Sequence, residues 1–190
     1  MEKLVEAKKQ FDILYVDPPW DLSFVRSYYS VLSKKQLLEL PVGKLGTKDS
    51  VIFLWTVTSG ILDAIELMNA WGYYFVDVAF VWVKTKNRKL HFGLGKTSTR
   101  RNCEFLLYGI KYGAKEPMRS KKNVYQVHVS PILEPFSRKP DIFRKLITDL
   151  LGTEKTKVEL FARIFKDSDC VTDWTFCGHD IGKNAKKLKQ

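Results

Sequence analysis

Asp17-Pro18-Pro19-Trp20 closes an apolar, strand-like run in FDILYVDPPWDLSF. The two prolines fix φ and remove two backbone donors, so these positions present carbonyl oxygens beside the Asp17 carboxylate. Such a tip accepts hydrogen bonds and hardly donates them. Its natural guest is an amino group with two hydrogens, and Trp20 adds a flat face for a planar ring. The set suits a base with an exocyclic amine, such as adenine. That amine is a poor nucleophile because its lone pair is delocalised into the ring. Acceptors on both its hydrogens favour a pyramidal nitrogen, whose lone pair can attack an already activated methyl group, as on a sulfonium. The catalysis left to supply is alignment, for which effective molarities reach about 10⁵ M or more. The plainer reading of the tetrapeptide is a rigid turn with a stacked tryptophan.

The elements that would position this tip are legible as periodic runs. Strand-like stretches cover residues 11–16, 51–57, 73–83, 103–111, 124–129, 157–162 and 173–179, dense in β-branched and aromatic residues and often apolar on both faces. Helical patterns lie between them. Ser33 is placed to cap KKQLLEL, which stops at Pro41. Residues 60–71 carry Ile61, Ile65 and Met68 at helical spacing, with Gly72 after them. Residues 139–152 place Pro140 at the start, Ile142, Leu146 and Leu150 on one face, and Gly152 at the end. Alternating strands and helices predict an α/β layer fold, with a mostly parallel sheet and helices on both faces. Ligands of such sheets sit beyond the carboxyl ends of the strands. Asp17, Arg163 and His179 all stand at such ends.

With 190 residues the chain fits one domain, with residues 181–190 as a basic, flexible tail. No apolar run approaches the roughly 20 residues that span a bilayer, and the first ten residues do not read as a signal peptide. Cys103, Cys170 and Cys177 are odd in number and lack the C-x-x-C spacing of a zinc site. The expectation is an intracellular protein, nuclear if eukaryotic, with no membrane contact and no metal. A net charge of +11 points to a polyanionic partner, nucleic acid first. The charge is concentrated: Lys84 to Lys122 holds twelve basic residues against Glu104 and Glu116, a net of +10. A solvated loop is the ordinary reading of a charge run, but a loop need not be so one-sided.

DPPW, followed in order by YSVLS, FLWTVT, WGY, VWVKT, SRKPD, VELFAR and DWTFCGHD, resembles the MT-A-seventy family of adenine N(6)-methyltransferases over residues 11–181. The resemblance implies a Rossmann-like fold of the β class and S-adenosylmethionine as cofactor. It implies that Asp17 accepts from the adenine amine and lies against the methionine part of the cofactor. Pro18 would offer its carbonyl to that amine, while Pro19 and Trp20 shape the pocket. Tyr29 would be an aromatic lid over the base (or an ordinary surface tyrosine), and Glu104 an acid near the substrate (or a strand-edge ion pair). Lys139 and Arg163 would hold the cofactor. Phe165 and Lys166 stand where the family often has His and Asn, and His179-Asp180 replaces an Asn-Gln pair that binds the ribose. Lys96, Arg100 and Arg101 would contact phosphates.

The resemblance also implies a heterodimer with an inactive paralogue, and further DNA-binding subunits are an added expectation for this chain. Its members usually carry an acid-bearing segment before the first strand, so this chain reads as a catalytic fragment of a longer protein. DNA is set slightly ahead of RNA as substrate. A non-catalytic, nucleic-acid-binding paralogue is the alternative role, which an intact Asp17-Pro18-Pro19-Trp20 opposes.

Overall fold

A computed structural model describes residues 1–21, 30–91, 93, 99–117, 119–133, 137–164 and 173–178. A short helix α1 (Glu2–Glu6) precedes the central strand β1 (Phe11–Val16). Helix α2 (Lys34–Leu38) starts at Ser33, whose side chain and that of Gln36 cap each other's backbone N–H reciprocally. Strand β2 (Gly46–Thr56) leads through a single 3₁₀ turn (Thr58–Gly60) into α3 (Ile61–Ala70). Strands β3 (Tyr73–Lys86), β4 (Lys89–Leu90), β5 (Cys103–Lys111) and β6 (Val127–Pro131) follow. Helix α4 (Ile142–Leu151), β7 (Lys157–Leu160) and β8 (Trp174–Cys177) complete the described chain. Gly72 (φ +87°) and Gly152 (φ +102°) end α3 and α4 in a backbone region that side-chain-bearing residues enter only with strain, as their spacing predicts.

The strands form one eight-stranded sheet in the order β4-β3-β5-β2-β1-β7-β8, with β6 also on β3. The half β2-β1-β7-β8 is parallel. The half β2-β5-β3-β4 is antiparallel, and β6 runs parallel to β3. The α/β expectation holds, and the sheet is mixed, since β3 and β5 are joined without a crossover helix. The strand expected at 124–129 is displaced to 127–131, and the short β4 and α1 carry too few periodic residues to be read.

The apolar-on-both-faces pattern of β1 has a direct cause. Its neighbours β2 and β7 cover both edges, and helices cover both faces. Leu14 and Val16 pack with Ala64, Leu67 and Met68 of α3, whereas Ile13 and Tyr15 pack with Phe143, Ile147 and Leu151 of α4. Each fully buried large side chain of this kind contributes about 1.5–3 kcal/mol. On the α4 side the core is aromatic: Trp55 meets Phe143 edge-on at 4.9 Å, and its indole N–H donates to the Tyr15 hydroxyl at 2.8 Å.

Candidate active site

The topology gathers the chemistry at one edge. Parallel β1, β2 and β7 all end there, with Val16 opposite Leu54 on one side and Leu160 on the other. Antiparallel β5 begins there, since Phe105 pairs with Thr56. Strand β3 ends there, with Trp82 opposite Glu104. Asp17, Glu104, Lys84 and Arg163 thus converge at the carboxyl edge of β1 from four parts of the sequence. Side chains alternate faces along a strand, so Trp82, Lys84, Glu104 and Leu106 share the face that α4 covers.

Lys139 is the hub. Its ammonium donates to Asp17 Oδ2 at 2.9 Å and to the Ser137 carbonyl at 3.3 Å, and lies 3.2 Å from Glu104 Oε2. It also sits over the Trp55 ring, 5.5 Å from its centroid, a cation–π contact in a desolvated setting. Glu104 Oε1 accepts from Lys84, whose ammonium lies over the Trp82 ring. Two acids and two bases therefore alternate, largely out of water. The two carboxyls respond differently. Burial pushes Asp17 above the usual carboxylate range, and Glu104 adds to that, against the opposing pull of Lys139 and Arg163. Burial pushes Glu104 upward too, but Lys139 and Lys84 together outweigh it and hold Glu104 below its usual range.

Two non-glycine residues with left-handed backbone flank this site: Ser137 (φ +66°), two residues before Lys139, and Phe161 (φ +59°), two before Arg163. Such positions persist where the surroundings over-determine them, and they cluster at functional sites.

The prolines behave differently from each other. The Pro18 carbonyl accepts from the Trp20 N–H at 2.8 Å and keeps a second lone pair, whereas the Pro19 carbonyl accepts from Leu32 at 2.9 Å. Trp20 is pinned by its indole N–H, which donates to the Trp55 carbonyl at 3.0 Å. Its ring is thereby fixed beside Asp17, as a stacking face must be.

The MT-A70 family model matches residues 11–179, a span that opens on β1 and takes in the acid, the proline carbonyl and the indole at its tip. The chain belongs to the MT-A70 family. It is 28% identical to the Type II methyltransferase M.MunI of a Mycoplasma species over 183 residues, covering 82% of this chain and 73% of that one. It is 27% identical to the human N(6)-adenine-specific methyltransferase METTL4 over 195 residues, covering 96% of this chain and 40% of METTL4. The mouse METTL4 is 32% identical over 92 residues, 46% of this chain. The chain thus spans less than half the length of the METTL4 proteins.

As a family member, the chain has its expected site residues distributed as follows. Asp17, Pro18, Pro19, Trp20, Glu104 and Lys139 come together, and Arg163 lies close enough for its charge to act on Asp17. Tyr29, Lys96, Phe165, Lys166, His179 and Asp180 lie outside the described residues. Arg101 donates to Ser59 Oγ at 2.8 Å, which ties it to the 3₁₀ turn after β2, and Arg100 is exposed beside it. The basic segment is divided by β5, whose nine residues run the length of the sheet, roughly 30 Å. Among the described residues, Lys84, Lys86, Arg88, Lys89, Arg100 and Arg101 belong to the Asp17 edge. Lys111 to Lys122 belong to the opposite edge, where Lys115 N donates to Asp49 and Lys122 pairs with Asp149. What reads as one +10 run is two separate surfaces.

A second buried ionic cluster supports the site from below, and the sequence reading missed it. Arg144 donates to Glu159 at 2.7 Å and to Asp141 at 2.7 Å, and Arg138 reaches the other Asp141 oxygen at 3.1 Å. Burial pushes Glu159 up to about 7 against the pull of Arg144, with the Asp17 charge contributing. An acid inside the apolar strand KVEL is the one sequence signal that marked this cluster. Lys84 stood in the VWVKT segment and at the head of the basic run, but nothing there marked it as the partner of Glu104.

Proposed function

We propose that this chain transfers the methyl group of S-adenosylmethionine to the N(6) amine of adenine in nucleic acid, with DNA ahead of RNA. The carrying observation is the Asp17 carboxylate at a strand tip, beside the Pro18 carbonyl and the pinned Trp20 indole. These groups accept from an amine and offer a face to its ring. Asp17 accepts one amine hydrogen, the remaining Pro18 lone pair or Glu104 accepts the other, and the nitrogen lone pair is left directed outward. Glu104 is suited to accepting because its neighbours keep it ionised.

The donor set fits the cofactor. An amino-acid tail carries both charges, and the edge supplies acids (Asp17, Glu104) beside cations (Lys139, Arg163). Asp17 suits the cationic part and Arg163 the carboxylate. Lys139 has both carboxyls and a carbonyl as acceptors, so its contribution is to hold Asp17 and to share with a bound carboxylate. When bound, the cofactor supplies an electrophilic methyl on a sulfonium. No strong base is required of the protein, because the amine proton becomes acidic as the nitrogen is methylated.

Substrate contact falls to the Arg100–Arg101 side of the sheet, next to Asp17. The resemblance extends the reading to an inactive paralogue that completes the groove. The exposed apolar residues Tyr125, Val127 and Val129, on and beside β6, give such a partner a surface. The test is methyl transfer from labelled cofactor to matched DNA and RNA oligonucleotides, alone and with candidate partners. Incorporation into adenine N(6), lost in Asp17→Ala, supports the reading. Labelled cofactor that binds but transfers to neither polymer, with or without partners, would leave the non-catalytic role in its place.

A further inference from the structure

We propose that Lys84 is a positioning residue for the acceptor site: it holds Glu104 from the outer side and leaves Lys139 shared between Glu104 and Asp17. The proposal rests on the reading of Asp17 and Glu104 as the groups that receive the adenine amine.

The geometry is that of a cross-strand diagonal. Trp82 is directly opposite Glu104, and Lys84, two residues on, projects from the same face of β3. The Lys84 stem reaches back along Trp82, with its ammonium 4.9 Å from the ring centroid. Trp82 is itself fixed, since its indole N–H donates to the Ser130 carbonyl of β6 at 3.3 Å. Lys84 N is also bonded to the Asn102 carbonyl at 2.8 Å, which sets the backbone on both sides of the pair. The result is a row of four charges, Asp17, Lys139, Glu104 and Lys84, with side chains 18%, 9%, 9% and 19% exposed.

Alternation of sign makes the outer cation matter. With Lys84 present, two ammonium groups serve two carboxylates, and Lys139 can bond to both. Without it, one ammonium serves two carboxylates in a poorly hydrated place, and the pair takes up a proton. A protonated Glu104 becomes a donor facing an amine that also donates.

The groups facing Glu104 come from every element around it. They are Lys84 on β3, Lys139 on the segment before α4, and Asp17 after β1, which in turn feels Arg163 and bears on Glu159. Cys103 adjoins Glu104 on β5, and burial holds its thiol up against the pull of Lys84, with that carboxylate adding to the rise. His91, beyond Lys84, is held low by burial and by Lys84 and Lys86.

The test combines two readouts on the wild type, Lys84→Met and Lys84→Arg. Carbon-detected NMR of the Glu104 carboxyl, assigned with Glu104→Gln, follows its titration without cofactor or substrate. Methyl transfer against pH follows the acid limb of kcat. In Lys84→Met the Glu104 midpoint is expected to rise by at least one pH unit, a tenfold gain in proton affinity, and the acid limb to move the same way. Lys84→Arg should keep both near wild type.

A Glu104 midpoint unmoved in folded Lys84→Met, or a moved midpoint with an unmoved acid limb, overturns the proposal. Should Lys84→Met fail to fold, Lys84→Met/Glu104→Gln removes the orphaned charge. Recovery of the fold then supports the pairing, and no recovery counts against it. A wild type that methylates no oligonucleotide tells against the proposed function instead, and the midpoint still decides the role of Lys84.

Discussion

Lys139 Nζ lies 2.9 Å from Asp17 Oδ2, although 122 residues of sequence separate them. The contact joins the end of the first strand to the segment that enters the last long helix. It closes the site on the α4 side of the sheet.

Asp17→Ala is expected to lower methyl transfer by at least about 100-fold, the scale of losing one preorganised polar group at a reacting centre. The fold should persist, because Lys139 keeps Glu104 and the Ser137 carbonyl as partners when Asp17 is removed. Asp17→Asn should be milder, since an amide oxygen still accepts one hydrogen bond. Single-turnover rates, with near-ultraviolet circular dichroism as the fold control, decide the point. More than a few per cent of activity in folded Asp17→Ala would remove Asp17 from its role.

Lys139→Met leaves Asp17 and Glu104 close together, with Lys84 still paired to Glu104. Breaking a buried pair from one side costs about 3–5 kcal/mol. Lys139 pulls both carboxyls down, so its loss raises both, and the variant loses stability as pH rises through the raised values. The deficit against wild type should therefore be larger at pH 8 than at pH 5 in urea denaturation. An equal deficit at the two pH values would contradict the charge argument. In the same variant series, Arg163→Met should weaken S-adenosylmethionine binding in calorimetric titration while leaving nucleic-acid binding in place.

Glu159 binds its proton more tightly folded than unfolded, with a folded value of about 7 against an ordinary 4.5. The sign follows from linkage: its contribution is fully present below pH 4.5 and is lost as pH rises toward and through 7. The loss amounts to as much as about 3 kcal/mol for a group so deeply buried. Glu159→Gln should flatten the stability–pH curve across that window relative to wild type. Parallel curves for the two proteins would show that Arg144 holds Glu159 ionised throughout.

The split of the basic segment predicts unequal salt effects. Neutralising Lys96, Arg100 and Arg101 should weaken binding to all sequences about equally and reduce the slope of log affinity against log salt by roughly 0.7–0.9 for each lost phosphate contact. Neutralising Lys115, Arg119 and Lys121, at the far edge, should leave the slope for a short oligonucleotide unchanged. Equal effects from both triple variants would mean that the substrate crosses the sheet edge to edge.

Much of this protein was legible in its sequence, for local reasons. Strands β1 and β5, and helices α3 and α4, follow from side-chain periodicity and from glycine stops, which are short-range properties of the chain. The DPPW tip was legible because two prolines constrain their own backbone whatever surrounds them. Lys139 and Glu104 could be named from neighbouring residues, but not joined. Their meeting depends on β5 running antiparallel to β2, which brings the start of one strand to the end of another. That choice is made by packing and connection across the whole sheet, and no window of sequence contains it.

The same antiparallel turn divides the basic run into two surfaces that composition sees as one. Lys84 and the Arg144–Glu159 pair were invisible for a related reason. A charge in a strand reads as solvent-facing until the tertiary structure supplies its buried counter-ion, and those counter-ions lie 20 and 15 residues away on other elements. Local chemistry wrote the tip and the strands. The charge balance around the tip was decided only when the sheet closed, because a desolvated ion is tolerated where its partner is already in place.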